Sequence, residues 1–202
     1  DGVDAVIHLA GENIGARRWS ASRKRKLVDS RVEGTRFLAT KLAAMDQPPS
    51  CLVSASAIGF YGDQGDSICD EETDKGQGFL PDLCESWEAA TQPAADAGIR
   101  VVQVRIGVVL DANGGALAKM LTPFRVGVGG KVGSGRQYWS WISTKDIAGV
   151  LRHAVMTPDV AGTINGVAGS CTNLEFTKTL GKVLRRPTIF PLPAFVARLM
   201  LG

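Results

Sequence analysis

Apolar residues along the chain fall into two kinds of run that take turns from one end to the other. The first kind is short, β-branched and apolar on both faces: VDAVIHL at 3–9, CLVSASAI at 51–58, RVVQVRIGVVL at 100–110 and TINGVAG at 163–169. Runs of this length and character are strands of a parallel sheet buried on both sides. The second kind repeats at helical spacing. Leu27, Val28, Val32, Phe37, Leu38 and Leu42 predict a helix over Ser20–Met45, and Leu83, Trp87 and Ala90 predict one that opens at Pro81. Further helices are expected near Ala116–Phe124, after the short extended piece SWIS with Ser143 and Asp146 as a capping-box variant, and over 172–184. Strands that alternate with helices give an α/β fold with βαβ units and a mostly parallel sheet.

Composition narrows this frame. The chain has 202 residues, 45% of them hydrophobic and 21% charged, which suffices for a buried core. A net charge of +3 makes no general case for nucleic acid or a membrane surface. Cys51, Cys69, Cys84 and Cys171 form no C-x-x-C pair, and His8 and His153 are the only histidines, so neither a zinc site nor a disulfide framework is expected. No apolar run approaches the roughly 20 residues that span a bilayer, and no leader pattern opens the chain, so a cytoplasmic location is the expectation. The start, DGVDAVIHLAG, lacks Met and falls almost directly on a strand, and AFVARLMLG stops where a helix is beginning. The chain therefore reads as a piece of a longer polypeptide, truncated at both ends.

Parallel sheets of this kind bind ligands at the carboxyl ends of their strands. That directs attention to HLAGEN, SASAIGFYG and RIGVVL. Three other stretches carry chemistry. RRWSASRKRK packs six cations into residues 17–26, at a helix start where the macrodipole disfavours positive charge. A solvated face explains such a run, and so does an anionic ligand or partner; with Trp19 as its one aromatic, nucleic acid is the weakest of the three readings. RVGVGGKVGSGRQ (125–137) matches neither G-x-G-x-x-G nor the P-loop, and either a connector or a contact with an anionic substrate accounts for it. PDLCESWEAAT (81–91) offers Cys84 and Glu88 on a helix, as packing or as an acid or base.

DAVIHLAG, SRVEGTRFLA and SASAIGFYGD resemble, in order and spacing, three motifs of the extended short-chain dehydrogenase/reductase family, and WISTKDIAGVLRHAV is similar to the family's later helix. HLAGENI with RRW, the W-E-A-A helix, LTPFRVGVGGKVGSGRQYWSWI and NGVA resemble one atypical subgroup, the predicted nucleoside-diphosphate-sugar epimerases. The resemblance implies a Rossmann-like parallel sheet with a small substrate lobe. One incomplete domain results, with a cofactor-binding core of about 1–110 and 141–169 and a lobe of about 111–140 and 170–202. It implies NADP or NAD as cofactor, NADP slightly favoured, and hydride transfer on a sugar nucleotide or another carbonyl compound, as epimerase or reductase. The partner is then a small molecule, an anionic one included, with no nucleic acid and no membrane. The alternative is a dinucleotide-binding regulatory or interaction protein without turnover.

Carried over position by position, the resemblance assigns cofactor contacts to Leu9, Ala10, Gly11, Ser54, Ala55, Trp87, Val108 and Val109, and to Arg31, which stands where the family has asparagine. Arg125, Lys131 and Arg136 fall over the family's substrate cleft. The family's Tyr-x-x-x-Lys pair, which moves a proton and binds the nicotinamide ribose, falls on Leu83 and Trp87, neither of which transfers a proton or carries charge. The companion serine falls on Ala57. Ser56, adjacent but on the other face unless a bulge turns it, and Tyr61 remain as catalytic candidates. The glycine-rich dinucleotide fingerprint belongs to a preceding βαβ unit that these residues do not include.

Overall fold

A computed structural model describes residues 2–193. In chain order its first elements are β1 (Ala5–His8), α1 (Ala21–Val28), α2 (Gly34–Ala43), β2 (Cys51–Ala57), α3 (Phe79–Ala89), α4 (Gln92–Asp96) and β3 (Arg100–Ile106). They are followed by β4 (Val108–Asp111), α5 (Gly115–Arg125), β5 (Tyr138–Ser143), α6 (Thr144–Met156), β6 (Gly162–Gly166), β7 (Gly169–Thr172) and α7 (Asn173–Leu184). The expected helix at AFVARLMLG lies outside the described residues. No described helix is long and apolar enough to cross a membrane. The chain divides into two units, residues 1–106 with 147–166 and residues 107–146 with 167–202.

The first unit is built on a parallel sheet in the order β1-β2-β3-β6. Period-two alternation sorts its side chains onto two faces. On one, Leu52 joins Ala39, Leu42, Ala94 and Ile99 in a core against α2 and α4. On the other, Val104 meets Gly166, where a β-carbon would come within 3.0 Å of Ile147 on α6. Leu52, Val53, Val102 and Val104 are fully buried, each stabilising the fold by about 1.5–3 kcal/mol. This explains why the strands read as continuous apolar runs.

The second unit carries a mixed sheet, β4-β5-β7, parallel between β4 and β5 and antiparallel between β5 and β7. Thr172 and Glu175 form a reciprocal capping box at the start of α7. Ser143 caps α6 with Asp146: Asp146 N donates to Ser143 Oγ at 3.0 Å and Ser143 Oγ donates to Asp146 Oδ2 at 2.8 Å.

Three expectations need correction. The single strand over 100–110 is two strands in two sheets, interrupted at Gly107, where a β-carbon would lie 2.9 Å from the Ser140 carbonyl oxygen. Strand propensity continues through this residue, but the close backbone approach ends the first strand. The single helix over 20–45 contains a wider π turn at Asp29–Glu33, which apolar spacing does not signal. The strand β7 was not expected at all, because GSCT is short and polar and is held by pairing with β5.

Candidate active site

The even-numbered positions of β2 and the polar positions of β3 and β6 share the α3 face of the first sheet, and they align in rows. Ser54 stands in register with Gln103 and Gln103 with Thr163; Ser56 stands in register with Arg105 and Arg105 with Asn165. In the first row Thr163 Oγ1 donates to Gln103 Oε1 at 3.1 Å, and Gln103 Nε2 donates to the Glu88 carbonyl and to Thr91 Oγ1, both at 2.9 Å.

The second row is charged. Arg105, 5% exposed, grips Glu88 of α3 in a bidentate pair, Nε to Oε1 and Nη2 to Oε2, each 2.9 Å. Ser56 Oγ donates to the same Glu88 Oε1 at 2.5 Å. Arg105 Nη1 donates to the Tyr61 hydroxyl at 3.1 Å, and that hydroxyl donates to Asn165 Oδ1 at 2.8 Å. The guanidinium also lies over the Phe60 ring, 3.4 Å from its centre. Burial by itself lowers the Arg105 pKa, but hydrogen bonds to Glu88 and Tyr61 outweigh it and hold the guanidinium above its ordinary value.

The two catalytic candidates thus meet in one network. Ser56 reaches it without a bulge, since β2 and β3 keep a regular register through Ser56 and Arg105. It is 3% exposed and Tyr61 is 5% exposed, so both hydroxyls are committed to protein partners. Glu88 and Arg105 were not singled out as a pair from sequence, although a signal existed. Gln103 and Arg105 sit at alternate positions of a strand that is otherwise apolar after Arg100, and buried polar groups require partners on the same face.

The open end of β1 is different. Leu9, Ala10 and Gly11 are exposed there. The π turn presents Ser30 and Arg31 to the segment that follows: Ser30 Oγ accepts from Glu12 N at 3.1 Å, and Arg31 Nη1 donates to the Glu12 carbonyl at 3.0 Å. A β-carbon at residue 11 would lie 3.3 Å from Arg31 Cζ, so the guanidinium covers the backbone of Gly11. Beneath it the Trp87 ring lies 5.1 Å away, and Trp87 Nε1 donates to Thr35 Oγ1, which also bonds His8 Nε2 at 3.1 Å. Partial burial lowers the Arg31 pKa; the charge survives, less hydrated than on an open surface.

Of the remaining sequence candidates, Ser54 and Ala55 are shut inside the sheet, 1% and 7% exposed, which leaves little surface for a cofactor. Val108 and Val109 are half-buried on β4 of the second sheet. Leu83 packs with Leu27, Val32 and Ala90. Cys84 is buried, and burial first, then the Glu88 charge, push its thiol up to about 11, which makes it a neutral packing group. In the glycine-rich segment Arg125 and Arg136 are exposed, and Lys131 Nζ donates to the Ser134 carbonyl at 3.4 Å. That segment pairs with the chain near Leu192, whose N–H donates to the Lys131 carbonyl at 2.8 Å, and a β-carbon at Gly130 would collide with the Phe190 carbonyl.

The sequence matches the NAD dependent epimerase/dehydratase family over residues 1–165. It is 44% identical over 201 residues to an epimerase family protein of Mycobacterium bovis, a match that takes in 99% of this chain and 66% of that protein. The chain thus spans about two thirds of the length of such relatives. Among solved structures, the fold is similar to that of the human epimerase family protein SDR39U1 crystallised with NADPH, at TM-score 0.95 and 40% identity, covering 100% of this chain and 70% of the human one. It is also similar to a nucleoside-diphosphate sugar epimerase from Corynebacterium glutamicum, at TM-score 0.80 and 39% identity over 98% of this chain and 43% of that one.

Proposed function

Because this chain belongs to the NAD dependent epimerase/dehydratase family, we propose that the protein binds NADP or NAD and transfers hydride between that cofactor and a sugar nucleotide or another carbonyl compound. The observation that carries this reading is the end of β1, where exposed Leu9, Ala10 and Gly11 present backbone to a ribose while Arg31 stands over Gly11 as a fixed cation. Leu9, Ala10, Gly11 and Arg31 hold the cofactor, and Trp87 supports Arg31 from behind by cation–π contact. The cofactor, when bound, supplies or receives the hydride. The human relative crystallised with NADPH favours NADP, and the Corynebacterium relative favours a nucleotide sugar. The four-stranded unit is the cofactor-binding core in this reading and the three-stranded unit the substrate lobe.

The proton must come from somewhere other than the family's Tyr-x-x-x-Lys pair, whose places hold Leu83 and Trp87. Tyr61 is a phenol with a cation beside it, Arg105 Nη1 at 3.1 Å, and its hydroxyl donates to Asn165 Oδ1. The second reading, a dinucleotide-binding regulatory or interaction protein without turnover, is favoured by the burial of Ser56 and Tyr61, whose hydroxyls are both taken up by partners. The full-length protein mixed with NADPH and a panel of carbonyl compounds and nucleotide sugars separates the two. Turnover that Tyr61→Phe abolishes and Ser56→Ala spares supports hydride transfer with Tyr61 as the acid. NADPH binding with no turnover across the panel supports the second reading.

A further inference from the structure

The cation-rich stretch that opens α1 does not lie flat on the surface; it walls a cavity of about 320 Å³. Small-molecule sites start at about this size, roughly 300 Å³. Arg17, Arg18, Arg23 and Lys26 line it, with Glu12 as the one acidic residue. Glu12 is already engaged: Arg23 Nη1 donates to its Oε1 at 2.5 Å, and that hydrogen bond, with the charges of Arg23, Lys26 and Arg17, holds its carboxyl below the usual range. Arg17, Arg18 and Lys26 close no ion pair among the described residues.

Arg23 is 8% exposed, and its Nη2 donates to the Asn13 carbonyl, yet its Nε–H is buried with no acceptor among the described residues. An N–H left this way is destabilising, and an acceptor oxygen is what the arrangement lacks. The helix adds to this. Ser20 caps α1 by accepting from Arg23 N at 3.2 Å, and it lies 2.9 Å from Ser22 Oγ, so the positive end of the helix and two hydroxyls share the cavity wall. Cations gathered at that end work against the helix, so local stability does not account for them. Trp19, the aromatic of the stretch, is turned to packing: its ring meets Phe79 edge-on at 5.7 Å and its Nε1 donates to the Ile14 carbonyl. No base-stacking platform remains, which argues against a nucleic-acid strand.

We propose that the cavity between Glu12 and the first turns of α1 is an anion site for the phosphoryl group of a small-molecule ligand, held by Arg17, Arg18, Arg23 and Lys26. The site stands whether or not the protein turns over, because none of its residues belongs to the network of Ser56 and Tyr61. Calorimetry of the full-length protein with inorganic pyrophosphate tests it, with a double variant, Arg17→Ser with Lys26→Gln, that removes two exposed charges and leaves the Arg23 pair in place. Saturable binding that weakens roughly tenfold or more in the variant, at unchanged circular dichroism, is expected from the loss of two charge-assisted contacts. Absent saturable binding, or equal affinity in both proteins, overturns the proposal. Competition names the source: displacement by a nucleoside diphosphate assigns the site to a substrate phosphate, displacement by NADPH to the cofactor, and displacement by neither overturns the assignment to a phosphorylated small molecule.

Discussion

Two arginine–glutamate pairs, Arg105 with Glu88 and Arg23 with Glu12, are chemically alike and differ in what surrounds them. Around Arg105 every charge is answered: the carboxylate is gripped at both oxygens, Ser56 adds a third donor, and Tyr61 and Phe60 take up the rest of the guanidinium. Around Arg23 the carboxylate partner is 44% exposed, three further cations crowd the same cavity, and one buried N–H has no acceptor. A closed network of this sort holds its members in place, because each charge already has a partner. An open one is a binding surface, because it is incomplete in a specific way, short of negative charge.

The sharpest way to break the comparison is Glu88→Ala. It leaves the Arg105 guanidinium buried and unanswered and should cost about 3–5 kcal/mol of stability, read from urea unfolding. Glu12→Ala, which removes a half-exposed carboxylate, should shift the urea midpoint far less; equal losses in the two variants would show that the pairs are not different in kind.

Ser56→Ala comes next. It removes one hydrogen bond to a charged group and should cost about 1.5–3 kcal/mol. If Ser56 is part of the scaffold, NADPH affinity in the full-length protein stays within about twofold; a loss of tenfold, about 1.4 kcal/mol, would move Ser56 into the cofactor site.

A smaller effect sits beside the closed network. Because the folded Cys84 pKa is raised to about 11, the stabilisation from keeping this thiol neutral is complete below the ordinary value near 9 and fades as the pH rises toward 11. Alkylation at pH 8 should therefore modify Cys84 only in urea-unfolded protein, while the partly exposed Cys69 reacts in the folded state. Rapid labelling of Cys84 in folded protein would show that this face of α3 is open.

The smallest effect belongs to the open pair. The Glu12 carboxyl is depressed by Arg23, so its contribution is present above the ordinary carboxylate range and is lost as the pH falls through the lower folded value. The difference in melting temperature between the protein and Glu12→Gln should be constant from pH 7 down to the ordinary carboxylate range and shrink as the pH falls below it, through the depressed folded value. It should also shrink in high salt, which screens exposed charges within about one Debye length.

Much of this molecule was legible in its residues. Four apolar runs gave the four strands of the parallel sheet, because strands covered on both faces carry little else, and Ser143 with Asp146 announced the start of α6. The break at Gly107 was not legible, since it depends on the Ser140 carbonyl, far away in the sequence. The absence of a Tyr-x-x-x-Lys pair could be read position by position. The pairing of Glu88 with Arg105 could not, because the two meet only when β3 is placed beneath α3. Likewise the charge run of residues 17–26 showed an excess of cations but not its shape, which depends on how the loop around Glu12 folds back over α1.

The row Ser56, Arg105, Asn165 also acts as an alignment key for the sheet. If β3 paired with its neighbours one residue out of step, Arg105 would turn to the apolar face of Val102 and Val104, away from Glu88 on α3. Apolar strands such as CLVSASA and RVVQVRI tolerate many pairings, and a buried guanidinium tolerates one. The cation that closes the network therefore also fixes the register in which the strands pair.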